Sequence, residues 1–222
     1  MKKFLLISLL GVITLLSVSC SKESTPLTVS PEQITCYTDM TVQIEATPSE
    51  GATYAVADDF YAKVDDKGLV TARKVGKTEI HVTSPNGAKT IPCTVMPKYT
   101  LCDDMTQYVG ASISSVISKF GTNYTSKTGT DGVTTYTYQN YNSYLTGLGF
   151  SVKNGIVDNV LLAISTKYTS QFTDYLTERY SVAGMQNDIF FFLDHDKKVI
   201  IAFTVYSYNM LTVMYYPYSA SD

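Results

Sequence analysis

Apolar and polar residues alternate along much of residues 27–98. Val42, Ile44 and Ala46 are each separated by one polar residue, and the same period of two recurs in residues 79–83. This period is typical of β-strands that bury one face. Turn sequences rich in Gly, Pro, Asp and Asn separate the runs at residues 48–51, 65–68 and 84–87. Several short strands at this spacing predict an antiparallel β-sandwich.

The period changes to that of a helix after Pro97. Apolar residues at i, i+3, i+4 and i+7 form one stripe, which consists of Ile113, Val116, Ile117 and Phe120. Ser112 can cap the start of this helix, and Gly121 stands where a helix commonly ends. Three segments with strand patterns follow, at residues 133–139, 148–153 and 156–164, with Asn154-Gly155 as a two-residue hairpin turn.

The same order of elements then recurs about 60 residues later. Ser170 precedes a second helical stripe, and strand patterns follow at residues 189–193, 199–206 and 210–216. A unit that occurs twice predicts a tandem repeat, here residues 99–166 and 167–222. Helices packed on one face of an antiparallel sheet would give the C-terminal domain, residues 99–222, an α+β architecture. The chain as a whole is therefore expected to be multidomain, with an all-β N-terminal domain at residues 27–98.

The first residues have the pattern of an export signal. Lys2 and Lys3 precede the apolar run Phe4–Val18, which is 15 residues long and thus shorter than the roughly 20 residues of a membrane-spanning helix. The run leads into Leu15-Leu16-Ser17-Val18-Ser19-Cys20, which resembles a bacterial lipobox. The resemblance implies a signal peptide at residues 1–19 and lipid attachment at Cys20. Ordinary cleavage after the small residues Ser17 and Ser19 is the alternative.

Residues 20–26 are expected to form a short lipidated tether. Each methylene group of an acyl chain contributes about 0.8 kcal/mol of binding free energy when it is buried in a bilayer, so two or more chains anchor a protein stably. The start of the tether, Ser21-Lys-Glu23, is similar to the signal that sends some Gram-negative lipoproteins to the cell surface. We therefore expect an outer-membrane protein on the extracellular face, with the periplasmic face as the alternative.

Charge argues against nucleic acid as a partner. Loss of Lys2 and Lys3 with the leader changes the formal net charge from −3 to about −5. A nucleic-acid-binding protein needs a basic stripe or patch, and the sequence has none. The expected partners are instead the membrane, through the lipid, and a protein or glycan whose identity the sequence does not give.

One segment of the N-terminal domain carries a family motif. Val64-Asp-Asp-Lys-Gly-Leu-Val-Thr-Ala72, followed by Gly76 and Thr78-Glu-Ile-His-Val82, closely resembles the second group of bacterial immunoglobulin-like domains. Two positions depart from the family pattern, with Tyr54 in place of a tryptophan and Asp39 in place of a glycine. The resemblance implies a sandwich of the kind found in adhesins and surface proteins, where it often carries another domain outward.

The same resemblance bears on the cysteines. Cys20 aside, an odd number remains, namely Cys36, Cys93 and Cys102. Cys36 and Cys93 fall at inward positions of the first and last strands, which are neighbours in such sandwiches. They could form a disulfide, or both could be small buried hydrophobic residues.

The C-terminal region has a weaker family likeness. Gly110-Ala-Ser-Ile-Ser-Ser-Val-Ile-Ser-Lys-Phe-Gly121, together with Thr135-Tyr-Thr-Tyr138 and residues 150–157, resembles the small lipoproteins of outer-membrane assembly. It is also similar to the tandem-repeat β-lactamase inhibitor protein. Both likenesses imply protein binding without catalysis.

The remaining chemistry-bearing residues do not combine into a catalytic site in the sequence. A nucleophile needs a base beside it, and the two histidines, His81 and His195, lie on a strand and in a turn. Asp194 and Asp196 could donate to Ca²⁺, but their turn lacks further oxygen ligands. No cofactor and no metal are therefore expected.

The tyrosines, 15 of 18 after residue 98, are either strand formers that cover the sheet or an exposed binding face.

These observations together predict a non-enzymatic envelope lipoprotein that works as an adhesion or protein-binding module. One alternative is a carbohydrate-binding accessory protein of a glycan-uptake system. The other is a periplasm-facing assembly or inhibitor lipoprotein.

Overall fold

The computed structural model describes residues 25–207 and 209–219, which form two regions built mostly of antiparallel strands. Nine short strands make up the first region. They are β1 (Thr28–Ser30), β2 (Ile34–Tyr37), β3 (Thr41–Gln43), β4 (Glu45–Thr47), β5 (Thr53–Val56), β6 (Ala62–Val64), β7 (Leu69–Ala72), β8 (Gly76–Ser84) and β9 (Gly87–Met96).

The strands of the first region form a sandwich, which we call the N-terminal sandwich. One sheet has the order β2-β9-β8-β5 and the other β3-β7-β6, while β1 pairs with β4. A single core takes residues from both sheets, including Ile34 and Ile80 from one and Val70 from the other, each at most 1% exposed. The alternation of the sequence thus places its apolar side chains between the sheets.

The second region, the C-terminal sheet, contains eight strands and two short α-helices among the described residues. The first half comprises α1 (Ile113–Phe120), β10 (Thr125–Thr128), β11 (Thr134–Gln139), β12 (Leu145–Lys153) and β13 (Ile156–Ser165). The second half comprises α2 (Thr169–Thr177), β14 (Ser181–Gln186), β15 (Ile189–Leu193), β16 (Val199–Ser207) and β17 (Met210–Pro217). Short 3-10 helices precede α1 and α2 at Met105–Tyr108 and Thr166–Tyr168.

The expectation of an α+β C-terminal domain is wrong. The region is mostly β: one sheet of eight strands in the order β10-β11-β12-β13-β17-β16-β15-β14, against helices of 8 and 9 residues. The helical stripes in the sequence are too short to extend beyond about two turns each. Each helix is also followed by four strands rather than three, because β10 and β14 are strands without an alternating apolar pattern.

The helices and the 3-10 helix at Met105–Tyr108 cover one face of this sheet. Ser112 Oγ accepts a hydrogen bond from Ser115 N (3.3 Å), which caps α1 at its predicted start. α1 buries Val116 completely, and α2 buries Phe172, Tyr175 and Leu176. These side chains share one core with strand residues such as Phe150. The described residues contain no helix of the length and hydropathy needed to cross a bilayer.

A buried glutamate joins the two regions. Glu178, only 6% exposed, accepts hydrogen bonds through its carboxylate from the backbone N–H groups of Lys98 (3.0 Å) and Tyr99 (3.1 Å). Its backbone carbonyl accepts from Val75 N (2.8 Å), which lies before β8. Arg179 pairs with the same carboxylate and donates to the Tyr99 carbonyl (2.8 Å). The connecting segment is therefore held by the residues that follow α2.

A second contact between the regions lies at the β15–β16 turn. His195 Nε2 is 2.6 Å from Asp58 Oδ2, and the imidazole stacks on Phe60 with ring centroids 4.5 Å apart. Tyr61 meets the same imidazole edge-on at 5.2 Å. Gly76 is required beneath this contact, because its φ is +151° and a Cβ there would lie 2.2 Å from Tyr61 Cε1. The two contacts together fix the orientation of the C-terminal sheet on the N-terminal sandwich.

Candidate binding face

On one face of the C-terminal sheet the described residues form no covering layer, and we call it the open face. Its small residues Gly147, Gly149, Ala202 and Thr212 are nevertheless buried between their neighbours. The strand register defines the open face as two rows that cross five strands. One row is Gln139, Gly147, Ala163, Thr212 and Thr204. The other row is Thr137, Gly149, Leu161, Met214 and Ala202. Side chains one position along each strand, such as Tyr138 and Leu162, lie in the core with the helices.

Neither row contains a charged side chain. The register continues the second row to Phe191 on β15, and Tyr216 lies on the same side of the sheet, where its hydroxyl donates to Met214 Sδ (2.7 Å). Leu161 is 37% exposed although it lies on an inner strand of the sheet, where both neighbouring strands are paired. Apolar residues at such a position are normally covered by another layer of the protein. The open face is thus an uncharged surface with hydroxyl, amide and apolar groups interspersed.

Shallow grooves run along this face. A groove of about 570 Å³ follows β11, β12 and β13, and a second of about 320 Å³ lies between Leu161 and Met214. The two share Leu161, Ala163 and Met210. A further depression of about 450 Å³ continues the surface to the edge strand β10, where Lys127 and Asp131 are its charged groups. The continuous concave surface is long enough for a polypeptide segment or a protruding loop.

Two glycines form the floor of the larger groove. Gly147 and Gly149 lie inside β12 and do not have the positive φ that marks a glycine required by the backbone. A Cβ at Gly147 would lie 3.4 Å from Ala163 Cβ, and one at Gly149 would lie 3.8 Å from Leu161 Cβ, both ordinary contacts. Glycine weakens a strand, and an interior glycine often marks a site where a ligand approaches the backbone closely. A β-bulge between Leu145 and Gly147 gives Gly147 a structural reason, whereas the packing of the protein gives none for Gly149.

The tyrosines with the most strongly displaced pKa values lie on the other side of the sheet. Burial raises the pKa of Tyr175, Tyr180 and Tyr215 well above the ordinary tyrosine value. Tyr180 OH donates to Asp104 Oδ1 (2.7 Å), and Tyr175 OH donates to the Asp103 carbonyl (2.9 Å). The three tyrosines fill the core under α2, and the hydroxyl groups of Tyr175 and Tyr180 hold the segment that precedes α1.

The aromatic residues singled out in the sequence are mostly in that core or at its margin. Tyr138 and Tyr215 are 4% and 0% exposed, and Tyr138 OH donates to the Gly121 carbonyl (2.9 Å). The threonines between the tyrosines, Thr135 and Thr137, lie on the open side instead. The sequence draws attention to the tyrosines of this strand, although the threonines that alternate with them form part of the open face. The signal that could have revealed the open face was Gly147-x-Gly149 inside a strand pattern.

The other candidate residues lie apart from the open face. Asp194 Oδ1 accepts from the backbone N–H groups of Lys198 (2.7 Å) and Val199 (2.8 Å), while Asp196 pairs with Lys198 (3.2 Å). Within the described part of the chain, no cluster of three or more His, Cys, Asp or Glu side chains is arranged to hold a metal ion. His81 Nδ1 contacts Thr90 Oγ1 (3.2 Å) on the neighbouring strand.

The proposed lipid-attachment residue, Cys20, lies outside the described residues. Cys36 and Cys93 are both buried and are free thiols in the structure. The parallel register of β2 and β9 places Ile34 opposite Cys93 and Cys36 opposite Val95. The two cysteines are thus offset by two residues on neighbouring strands. A strand spacing of about 4.8 Å and a rise of about 3.3 Å per residue separate their Cα atoms by roughly 8 Å. A disulfide normally requires about 4.4–6.8 Å.

Comparison with known families supports the assignment of the first region. Residues 23–95 match the family model of the bacterial Ig-like domain (group 2). The resemblance of that segment is thereby confirmed, and the match ends before the C-terminal sheet begins. No curated protein matches the chain.

Proposed function

We propose that this protein is a non-enzymatic lipoprotein of the bacterial envelope that binds a partner protein through the open face of its C-terminal sheet. The observation that carries the proposal is the uncovered pair of rows with Gly147 and Gly149 as their floor. The N-terminal sandwich would act as the spacer between the membrane and this face. The Ig-like match of residues 23–95 agrees with a surface or binding module of this kind.

The chemistry of the face favours a protein over a sugar. Protein partners bury mixed surfaces of apolar and hydroxyl-bearing groups, and the face offers Leu161, Met214 and several threonines. Sugar-binding sites commonly stack the sugar on exposed aromatic rings, whereas the aromatic residues on this side of the sheet, Phe191 and Tyr216, are half-buried. A carbohydrate ligand is therefore the weaker candidate.

The firm junction between the regions supports the spacer role. Glu178 and Arg179 hold the connecting segment, and His195 rests on Asp58 and Phe60 of the N-terminal sandwich. A binding face at a fixed orientation loses less conformational freedom when its partner docks than one on a mobile linker does. Lipid attachment at Cys20 and exposure on the extracellular side are part of the same proposal. Substitution Cys20→Ala should release the protein from membranes. Protease added to intact cells should cleave the unaltered protein.

The binding face can be tested without knowledge of the partner. Leu69 is a matched control for Leu161, because the two leucines are 38% and 37% exposed and Leu69 lies in the N-terminal sandwich. A photo-crosslinking amino acid placed at Leu161 in living cells should give discrete covalent adducts, while the same group at Leu69 should give few or none. Equal adduct patterns from the two positions would argue against binding at the open face.

A further inference from the structure

The two edges of the C-terminal sheet differ in how well they are protected against pairing. β10 has four residues and carries Lys127. β14 has six residues, Ser-Val-Ala-Gly-Met-Gln, all exposed and without charge or proline. Natural edge strands are usually protected by charge, by proline or by short length. β14 lacks these three devices, and its protection is limited to a bulge between Val182 and Gly184.

An apolar patch adjoins this edge. Val182, Met185 and Phe190, which we call the edge patch, are 64%, 63% and 45% exposed. Val182 lies opposite Phe192, a core residue, and Met185 lies opposite Phe190. The bulge places Val182 and Met185 on the same face although they are three residues apart. The edge patch therefore lies on the helix-bearing side of the sheet, apart from the open face.

The structure carries no covering layer over the edge patch in its described part. α2 lies on this side of the sheet, and the core residues that it buries include Phe172 and Leu176. Phe190 contacts Phe203 at the margin of that core, with ring centroids 6.4 Å apart. Exposed apolar side chains grouped beside an unpaired strand mark an interaction site.

We propose that the edge patch and β14 pair with β14 of a second copy of this chain. Two identical strands can pair antiparallel about a twofold axis perpendicular to the sheet, and the same patch then serves both partners. Such an axis keeps the helix-bearing sides of both sheets together, so the two edge patches meet. Neither strand brings a charge, so the pairing places no charge beside a like charge and leaves none unpaired.

A second copy fits this edge better than a charged peptide does, because β14 offers no charge to match. The contact consists of the six residues of β14 and Phe190 from each copy. This is fewer than the roughly 20–30 residues a side of a stable complex. The dimer therefore belongs to the weak, concentration-dependent class. Pairing at β14 leaves the open face free, so it is independent of the proposed binding function.

Residues 21–222 are sufficient for the test, because both hydrophobic cores lie within them. Sedimentation equilibrium over about a hundredfold range of concentration should show monomers and dimers in exchange. Met185→Lys and Met185→Glu should each raise the dissociation constant of the dimer at least about tenfold. An equimolar mixture of the two variants should dimerise more than either variant alone.

Ser126→Lys is the matched control, because Ser126 is an exposed residue of the opposite edge strand. It should dimerise like the unaltered protein, and all variants should keep the same unfolding midpoint, since Met185 is exposed. A monomer at every concentration would overturn the proposal. Growth beyond the dimer, or a Met185→Lys variant that dimerises normally, would overturn it equally.

Discussion

Glu178 Oε1 accepts a hydrogen bond from the backbone N–H of Tyr99 at 3.1 Å, while Arg179 returns one to the carbonyl of the same tyrosine at 2.8 Å. A single residue of the connecting segment is thus bound through both of its backbone polar groups by the turn that follows α2. The carboxylate is buried and receives the Lys98 N–H as well. The two regions are therefore joined by specific polar bonds and not by the chain alone.

Replacement of Glu178 should weaken this junction strongly. Glu178→Ala leaves the Arg179 charge and two backbone N–H groups without their partner, which for a buried pair costs about 3–5 kcal/mol of unfolding free energy. Denaturant unfolding followed by circular dichroism measures the loss. Glu45→Ala, at an exposed strand position, is the control and should change the free energy of unfolding by less than about 0.5 kcal/mol. Equal effects of the two substitutions would contradict the structural role of Glu178.

Substitution of Gly149 in the floor of the open face should affect stability and binding differently. Gly149→Ala should leave the free energy of unfolding unchanged or raise it by about 0.4–1 kcal/mol, because the added Cβ meets Leu161 Cβ at 3.8 Å and restricts the unfolded chain. It should lower the yield of adducts from a crosslinker at Leu161, because it makes the groove shallower.

Gly68→Ala is the contrasting control for that substitution. Gly68 has a φ of +79°, and a Cβ there would lie 2.8 Å from Tyr54 Cε1. It should destabilise the protein by more than about 1 kcal/mol. If Gly149→Ala is as destabilising as Gly68→Ala, the fold requires Gly149 and the groove above it has no room for a methyl group.

The buried tyrosines predict a cooperative loss of stability at alkaline pH. Burial raises the pKa of Tyr175, Tyr180 and Tyr215 well above the ordinary value, and burial with the nearby Asp103 raises the pKa of Tyr108 to about 12. Unfolded tyrosines lose their protons near pH 10. The unfolded state then binds fewer protons than the folded state, so the free energy of unfolding is undiminished below about pH 10 and falls above it.

Tyrosinate absorbance measured beside circular dichroism checks the alkaline prediction. The absorbance of the buried tyrosines should appear together with unfolding, in one step above pH 10. A gradual titration of all tyrosines near pH 10 with the fold intact would contradict their burial.

Cys36 and Cys93 of the N-terminal sandwich, and Cys102 against the core of the C-terminal sheet, should react slowly while the protein is folded. Burial raises the pKa of Cys93 to about 11 and that of Cys102 to about 12, and it also raises the pKa of Cys36. The thiolate is the reactive form, so alkylation at pH 8 should be much slower than that of a free thiol. Mass spectrometry of residues 21–222 after unfolding without reductant should count three alkylated cysteines. A count of one would instead establish the Cys36–Cys93 disulfide.

The sequence predicts the strands of this protein better than their assembly. The strand predicted at residues 189–193 coincides with β15, and Ser112 caps α1 as its hydroxyl and position suggest. β10 and β14 escape prediction because the residues of each are all exposed, so that no alternation marks them. The two extra strands bring the sheet to eight strands, while the two helices have only 8 and 9 residues. The region is therefore mostly β, and the α+β assignment is wrong.

The open face could not be located from local patterns. Its rows bring together Thr137, Gly149, Leu161 and Met214, which are distant in sequence and meet only through strand register. The pairing of β13 with β17, which joins the two halves of the sheet, has no signal within either strand. The contact of His195 with Asp58 likewise depends on how the two regions dock.

The most direct measurement of the central proposal compares Leu161→Arg with Leu69→Arg. Each substitution places one charge at a leucine of almost equal exposure, the first on the open face and the second on the N-terminal sandwich. Once crosslinking has identified a partner, its dissociation constant for each variant can be determined by calorimetry. We expect Leu161→Arg to weaken binding at least about tenfold and Leu69→Arg to leave it unchanged. Unchanged binding by Leu161→Arg, or equal losses from both variants, would contradict binding through the open face.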